Sequence, residues 1–144
     1  MSIETNKEIV RRFFYQAYDH QNFATACGML SRNYSLHDPS VPEFAGGPEA
    51  WRQMSIAVRQ AMPDLRVTIE DQIAEADLVV TRWMACGTQL GELAGIPATG
   101  KHVLFTGITV SRIVGEKIAE QWQEWDRAGM LQQLGVAEEL SLAR

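Results

Sequence analysis

The chain has 144 residues, 46% apolar and 22% charged, the size of one domain and the balance of an ordinary globule, which excludes a disordered chain. Lys plus Arg number 13 against 18 Asp plus Glu, a net charge of -5, so no basic stripe is available for a phosphate backbone and no nucleic-acid partner is expected. Cys27 and Cys86 form no C-x-x-C pair, which points to a reducing cytoplasm, and no run reaches the ~18 apolar residues of a membrane span, nor does the polar N-terminus read as a targeting segment.

In chain order, Ile9, Val10, Phe13, Phe14, Ala17 and Tyr18 recur at helical spacing behind a capping box at Thr5-Asn6-Lys7-Glu8. A short second helix follows Asn22 as its cap and carries Phe23, Ala26, Cys27 and Leu30 inward. Gly47-Pro48-Glu49 opens a third, with Trp51, Met54, Val58, Ala61 and Met62 as its apolar face and Pro63 as its stop. The period then changes to two. Leu65, Val67 and Ile69 alternate with polar residues as one strand, a turn follows at Glu75-Ala76-Asp77, and Leu78 to Thr88 is apolar enough to read as a strand covered on both sides. Residues 89–100, rich in Gly and Pro, are a loop; strands are predicted over 101–113 and 118–125, and a short helix over 127–134 ends at Gly135. Helices first and consecutive strands after them predict a single α+β domain over residues 1–144 with an antiparallel sheet, which its twist can curve round the three N-terminal helices to leave a pocket between.

Several familiar chemistries fail on spacing. Gly95 to His102 is one hydroxyl short of a phosphate-binding loop and leads into a strand rather than a helix. His20, His37 and His102 lack ligand spacing, so no metal is expected, and no G-x-S-x-G elbow supports a nucleophile. The last strand collects the remaining candidates: Glu120, Trp122, Glu124 and Asp126 share one face, Gln121, Gln123 and Trp125 the other. One face must meet any pocket under the helices, and a carboxylate buried there against Trp122 would hold its proton toward neutrality, as a general acid/base requires. Asp126 reads two ways, as that acid/base or as the N-cap of the helix that follows it. Glu120 and Glu124 read as a solvated face or as partners of Arg82 and Arg112. His37-Asp38-Pro39 reads as a turn in which Asp38 bonds the backbone, or as an imidazole at a pocket rim.

The succession His37-Asp38-Pro39, Gly47-Pro48-Glu49, Met62-Pro63-Asp64-Leu65, Arg82-Trp83, Gly87-Thr88-Gln89-x-Gly91-Glu92, Gly95-Ile96-Pro97-x-Thr99-Gly100-Lys101, Arg112, Glu120-x-Trp122-x-x-x-Asp126 and Gln132-Gln133-Leu134-Gly135 resembles the SnoaL-like polyketide cyclases of the nuclear transport factor 2-like superfamily. The resemblance implies a cone-shaped α+β barrel, an apolar pocket, a homodimer packed through the sheets, and aldol cyclisation by an aspartate near the end of the last strand without metal or cofactor. Asp126 stands at that place. The candidates for shaping a ligand site beside Asp126 are Phe14, Tyr18, His37, Arg82 and Trp122. Met54 stands where those cyclases tend to have Asn, and Gln89 and Arg112 where they tend to have His.

Three functions follow as expectations. The first is acid/base chemistry on a bulky apolar carbonyl compound, either cyclisation or a related isomerisation. The second is epoxide opening, which needs Asp126 within ~3 Å of Arg112 or Arg82 and a second carboxylate. The third is a non-catalytic small-molecule binding or dimerisation module in which Asp126 only caps a helix.

Overall fold

The computed structural model describes residues 2–136. Ser2 opens helix α1 (Ile3–Phe14), its hydroxyl accepting from Thr5 N at 3.0 Å. The cap therefore lies ahead of the expected Thr5–Glu8 box, because Ser2 satisfies the first N–H groups one turn earlier, and Glu8 pairs with Arg11 instead. The helix buries Ile9, Val10, Phe13 and Phe14 and widens into a π-helical turn, Tyr15–Asp19, that buries Ala17. Asn22 caps α2 (Phe23–Gly28), accepting from Thr25 N at 3.1 Å.

The chain then departs from expectation. Leu30 belongs to no helix; it begins strand β1 (Leu30–His37), which pairs parallel with the last strand. The sheet is therefore mixed rather than purely antiparallel. A register shift between Leu30 and Ser35 breaks the alternation of β1, which hides it from a period-two reading. Helix α3 (Pro48–Ala61) starts where predicted, behind Gly47 at φ 89° with Pro48 in its first turn. Strands β2 (Arg66–Glu75), β3 (Leu78–Thr88), β4 (His102–Val114) and β5 (Lys117–Trp125) follow as an antiparallel meander, giving the order β1-β5-β4-β3-β2. Ala76 at φ 53° and Glu116 at φ 66° make the two tight turns. Helix α4 (Arg127–Gln133) stops at Gly135, whose φ of 83° suits a residue without a Cβ.

The sheet is curved and unclosed. Helix α1 packs on β2 and β3, α3 on β1 and α4 on β4. All of this cover lies on one face, so β3 is not enclosed on both sides: Val79, Thr81, Trp83 and Ala85 are buried, whereas Leu78 and Arg82 are exposed. Val79, Trp83, Phe105, Ile113 and Ile118 meet Phe13, Phe14 and Trp51 in the core. The outer face keeps Leu78, Leu104, Ile108 and Trp122 in water. Among the described residues both cysteines are free, and no helix is long and apolar enough to cross a membrane.

Candidate active site

Covering one face of a curved sheet leaves a gap where the helices do not reach the floor. That gap is a cavity of about 260 Å³. Phe14 and Tyr18 enter it from α1 and the π-helical turn, Met54 and Val58 from α3, and Trp83 and Phe105 from the sheet. Leu93, Ala94 and Ile96 of the 89–100 loop form one wall. Among the described lining residues the charged ones are Asp38, Arg59 and Arg127, so Asp38 is the cavity's one carboxylate.

Asp38 follows directly on β1. Tyr34 and Leu36 point inward from that strand, and Asp38 continues their alternation, whereas His37 points out. The Asp38 side chain is held by three donors: Ser40 N at 2.8 Å and Ser40 Oγ at 2.7 Å on Oδ1, and Gln123 Nε2 at 3.0 Å on Oδ2. The Asx turn expected at this aspartate is therefore present, and it aims the carboxylate at the cavity. Among the described residues it forms no ion pair. Beyond Asp38 a second, polar recess opens, lined by Pro39, Ser40, Glu124, Trp125 and Arg127. Asp38 thus lines both the cavity and this recess.

Burial pushes the Tyr18 hydroxyl up to about 12, against the opposing pull of the Arg59 guanidinium. It stays protonated at every physiological pH, and among the described residues it has no hydrogen-bond partner. Its neighbour Tyr34, also pushed up by burial, donates to Gln121 Oε1 at 2.6 Å. Arg59 fixes the backbone here, donating to Tyr18 O at 2.9 Å and to Leu65 O at 2.7 Å, while its buried Nε has no partner among the described residues.

The other residues expected at the site divide by sheet face. Gln89 is fully buried but does not line the cavity; it bonds Ile96 O and Thr99 and so pins the loop that does. His37, Trp122, Arg112 and Arg82 lie on the outer face. His37 Nε2 meets Glu120 Oε2 at 2.6 Å and its ring stacks on Trp122 with centroids 5.4 Å apart. Arg112 Nη2 holds Glu120 Oε1 at 3.0 Å, and Arg82 pairs with Asp71 at 3.0 Å. The His37 hydrogen bond, and after it Arg112, keep the Glu120 carboxyl below the usual glutamate range. Glu120 is therefore the opposite of a carboxylate tuned toward neutrality.

Asp126 is exposed, caps α4 through Gly129 N at 2.9 Å, and is absent from the cavity's described lining. The alternation of β5 turns Gln121, Gln123 and Trp125 inward, so Glu120, Trp122 and Glu124 face away. Neither Arg112 nor Arg82 is bonded to Asp126, so the charged relay that epoxide opening requires is not assembled. Asp38, which the sequence offered only as a turn residue, is the side chain that alternation along β1 would have placed inward.

A family model described as SnoaL-like polyketide cyclase matches residues 8–134. TsrD from Streptomyces laurentii superposes with a TM-score of 0.85 at 26% identity, over 95% of this chain and 99% of that one. A protein from Acidithiobacillus ferrooxidans with a provisional polyketide cyclase name gives 0.80 at 30% identity, over 94% and 98% of the two chains. A Catenulispora acidiphila protein described as having a ketosteroid isomerase-like fold gives 0.76 at 18% identity, over 90% and 94%, a likeness of fold alone. No protein of curated function matches the chain in sequence.

Proposed function

The chain belongs to the SnoaL-like polyketide cyclase family, and from that premise we propose that it is an acid/base enzyme acting on a bulky apolar carbonyl compound, with Asp38 rather than Asp126 as the base. The observation that carries this reading is the position of Asp38: one carboxylate in an apolar chamber, oriented by uncharged donors that leave its negative charge unneutralised. A carboxylate so placed removes a proton from a carbon beside a carbonyl group, and the electron pair moves onto the carbonyl oxygen. The Tyr18 hydroxyl, kept protonated by burial and without a hydrogen-bond partner among the described residues, is the group suited to donate to that oxygen as charge develops. Phe14, Met54, Trp83 and Phe105 exclude water and hold the substrate folded. In cyclisation the enolate carbon bonds to a second carbonyl carbon and the resulting alkoxide takes the proton back from Asp38. In isomerisation the proton returns to a different carbon.

The test is exchange of the acidic C–H of an apolar β-keto ester in D₂O, followed by NMR. Wild type should accelerate it, and Asp38→Asn should lower the rate by a factor on the order of 10² to 10⁴. Failure of the protein to accelerate exchange of any such compound that it binds would leave a small-molecule binding module.

We also propose that residues 1–144 form a single domain that works as a homodimer in the cytoplasm. Leu78, Leu104, Ile108 and Trp122 are 38%, 48%, 44% and 38% exposed on the outer sheet face, an apolar surface that a second sheet would cover. Light scattering should give twice the 16.1 kDa of one chain; a monomer at micromolar concentration would contradict it.

A further inference from the structure

Behind Asp38 runs a chain of hydrogen bonds to which the proposed reaction assigns no step. Trp83 Nε1 donates to Thr109 Oγ1 at 2.9 Å, Thr109 Oγ1 donates to Gln123 Oε1 at 2.8 Å, and Gln123 Nε2 donates to Asp38 Oδ2 at 3.0 Å. Thr109 is 1% exposed and Trp83 6%, so water does not stand in for either. The pairing of β4 with β5 sets Thr109 opposite Gln123, and that of β3 with β4 sets Trp83 beside Gly107, two residues away on the same face. A Cβ on Gly107 would lie 2.3 Å from the Trp83 ring. The absence of a side chain there lets the indole lie flat across β4 and reach Thr109.

We infer that Thr109 is a positioning residue that sets which end of the Gln123 amide faces Asp38. The argument is one of donors and acceptors. An indole N–H can only donate, so Thr109 Oγ1 must accept from Trp83 and spends its single proton elsewhere. The group in reach is Gln123, which must therefore turn its carbonyl oxygen to Thr109 and its NH₂ to Asp38. With the amide turned over, Gln123 Oε1 would face the carboxylate, acceptor against acceptor, and the Thr109 proton would lose its partner. The turned amide suits Asp38 only when its carboxyl is protonated and can donate. The three residues thus present an N–H donor to Asp38, the partner that matches the carboxylate a base needs.

This inference rests on the reading of Asp38 as the base for its catalytic meaning, but its physical content is tested without substrate. Among the described residues the charged groups on the walls around Asp38 are Glu124 and Arg127 in the outer recess and Arg59 and Arg127 in the cavity. His37, one residue back, is turned away onto Glu120. No substitution below alters any of them.

The experiment follows the Asp38 carboxyl carbon by NMR against pH in the full chain. Thr109→Val, which removes the hydroxyl at similar volume, should raise the titration midpoint relative to wild type by about one pH unit. Thr109→Ser should restore it, and the acid limb of the pH–rate profile should move with the midpoint. Gln123→Met should raise the midpoint at least as far, with no further effect of Thr109→Val in that background. Should Thr109→Val fail to fold, Trp83→Phe, which deletes the N–H that orients the hydroxyl, carries the test and should also raise the midpoint. An unchanged midpoint in folded Thr109→Val, or no rescue by Ser, would overturn the inference and leave Asp38 as the base. Full activity in Asp38→Asn would instead remove the catalytic reading while the titration shift persisted.

Discussion

Asp126 is the residue whose two readings predict different variants. Its carboxylate accepts from Gly129 N at 2.9 Å, and a Cβ at Gly129 would lie 2.2 Å from Asp126 Oδ2. The cap therefore depends on Gly129 as well as on the acid. Losing such a cap to Ala costs about 1 kcal/mol, whereas Asn caps about as well as Asp. With an unfolding entropy of roughly 2.1 cal/mol/K per residue, ~1 kcal/mol in a chain of this length is a fall in Tm of about 3 °C. Asp126→Ala should therefore melt about 3 °C below wild type and Asp126→Asn within about 1 °C of it. Gly129→Ala should resemble Asp126→Ala despite its better helix propensity, because the methyl group displaces the capping carboxylate. Both Asp126 variants should keep turnover. Thermal unfolding by circular dichroism and a single rate assay suffice. A loss of turnover of 10² or more in Asp126→Asn would refute the reasoning and return the acid/base role to Asp126.

Gly107→Ala should destabilise the fold by about 1–3 kcal/mol, because its methyl group meets the Trp83 ring and pushes it into the cavity; equal stability in urea unfolding would contradict the close approach. Glu120 contributes stability with a definite pH sense. Its carboxyl is held low, so the contribution is complete above the ordinary glutamate value of about 4.3 and is lost as the pH falls through its depressed folded value. Glu120→Gln should thus melt below wild type at pH 7, and the gap should close in acid; a gap independent of pH would show that the His37 and Arg112 contacts contribute nothing.

Much of the architecture was legible because it is written in periods and punctuation. The 3.6-residue spacing of Ile9, Val10, Phe13 and Phe14, the Pro48 and Pro63 boundaries and the apolar run of Leu78 to Thr88 each belong to one element and need no partner to be read. Strand β1 escaped because Ser31, Arg32 and Asn33 are polar and a register shift interrupts its alternation. That one omission hid where Asp38 lies: without β1, His37 and Asp38 are neighbours in a turn, and with it they lie on opposite faces. Phe14, Tyr18 and Met54 were reached through their helices and do line the cavity. Arg82, Arg112 and Trp122 were not, since period two says which residues share a face but not which face is covered. The Trp83–Thr109–Gln123–Asp38 chain crosses three strands and the end of a fourth, and no local pattern announces it.

The central claim is that Asp38 does the chemistry in a cavity that binds the substrate without it. Its most direct test is Asp38→Asn measured for both properties: turnover of an apolar β-keto ester and, by calorimetry, affinity for the same compound. Asn keeps the shape and can still meet Ser40, so the account predicts affinity within about threefold of wild type and a turnover lower by a factor on the order of 10² to 10⁴. Turnover equal to that of wild type, with affinity unchanged, would contradict it.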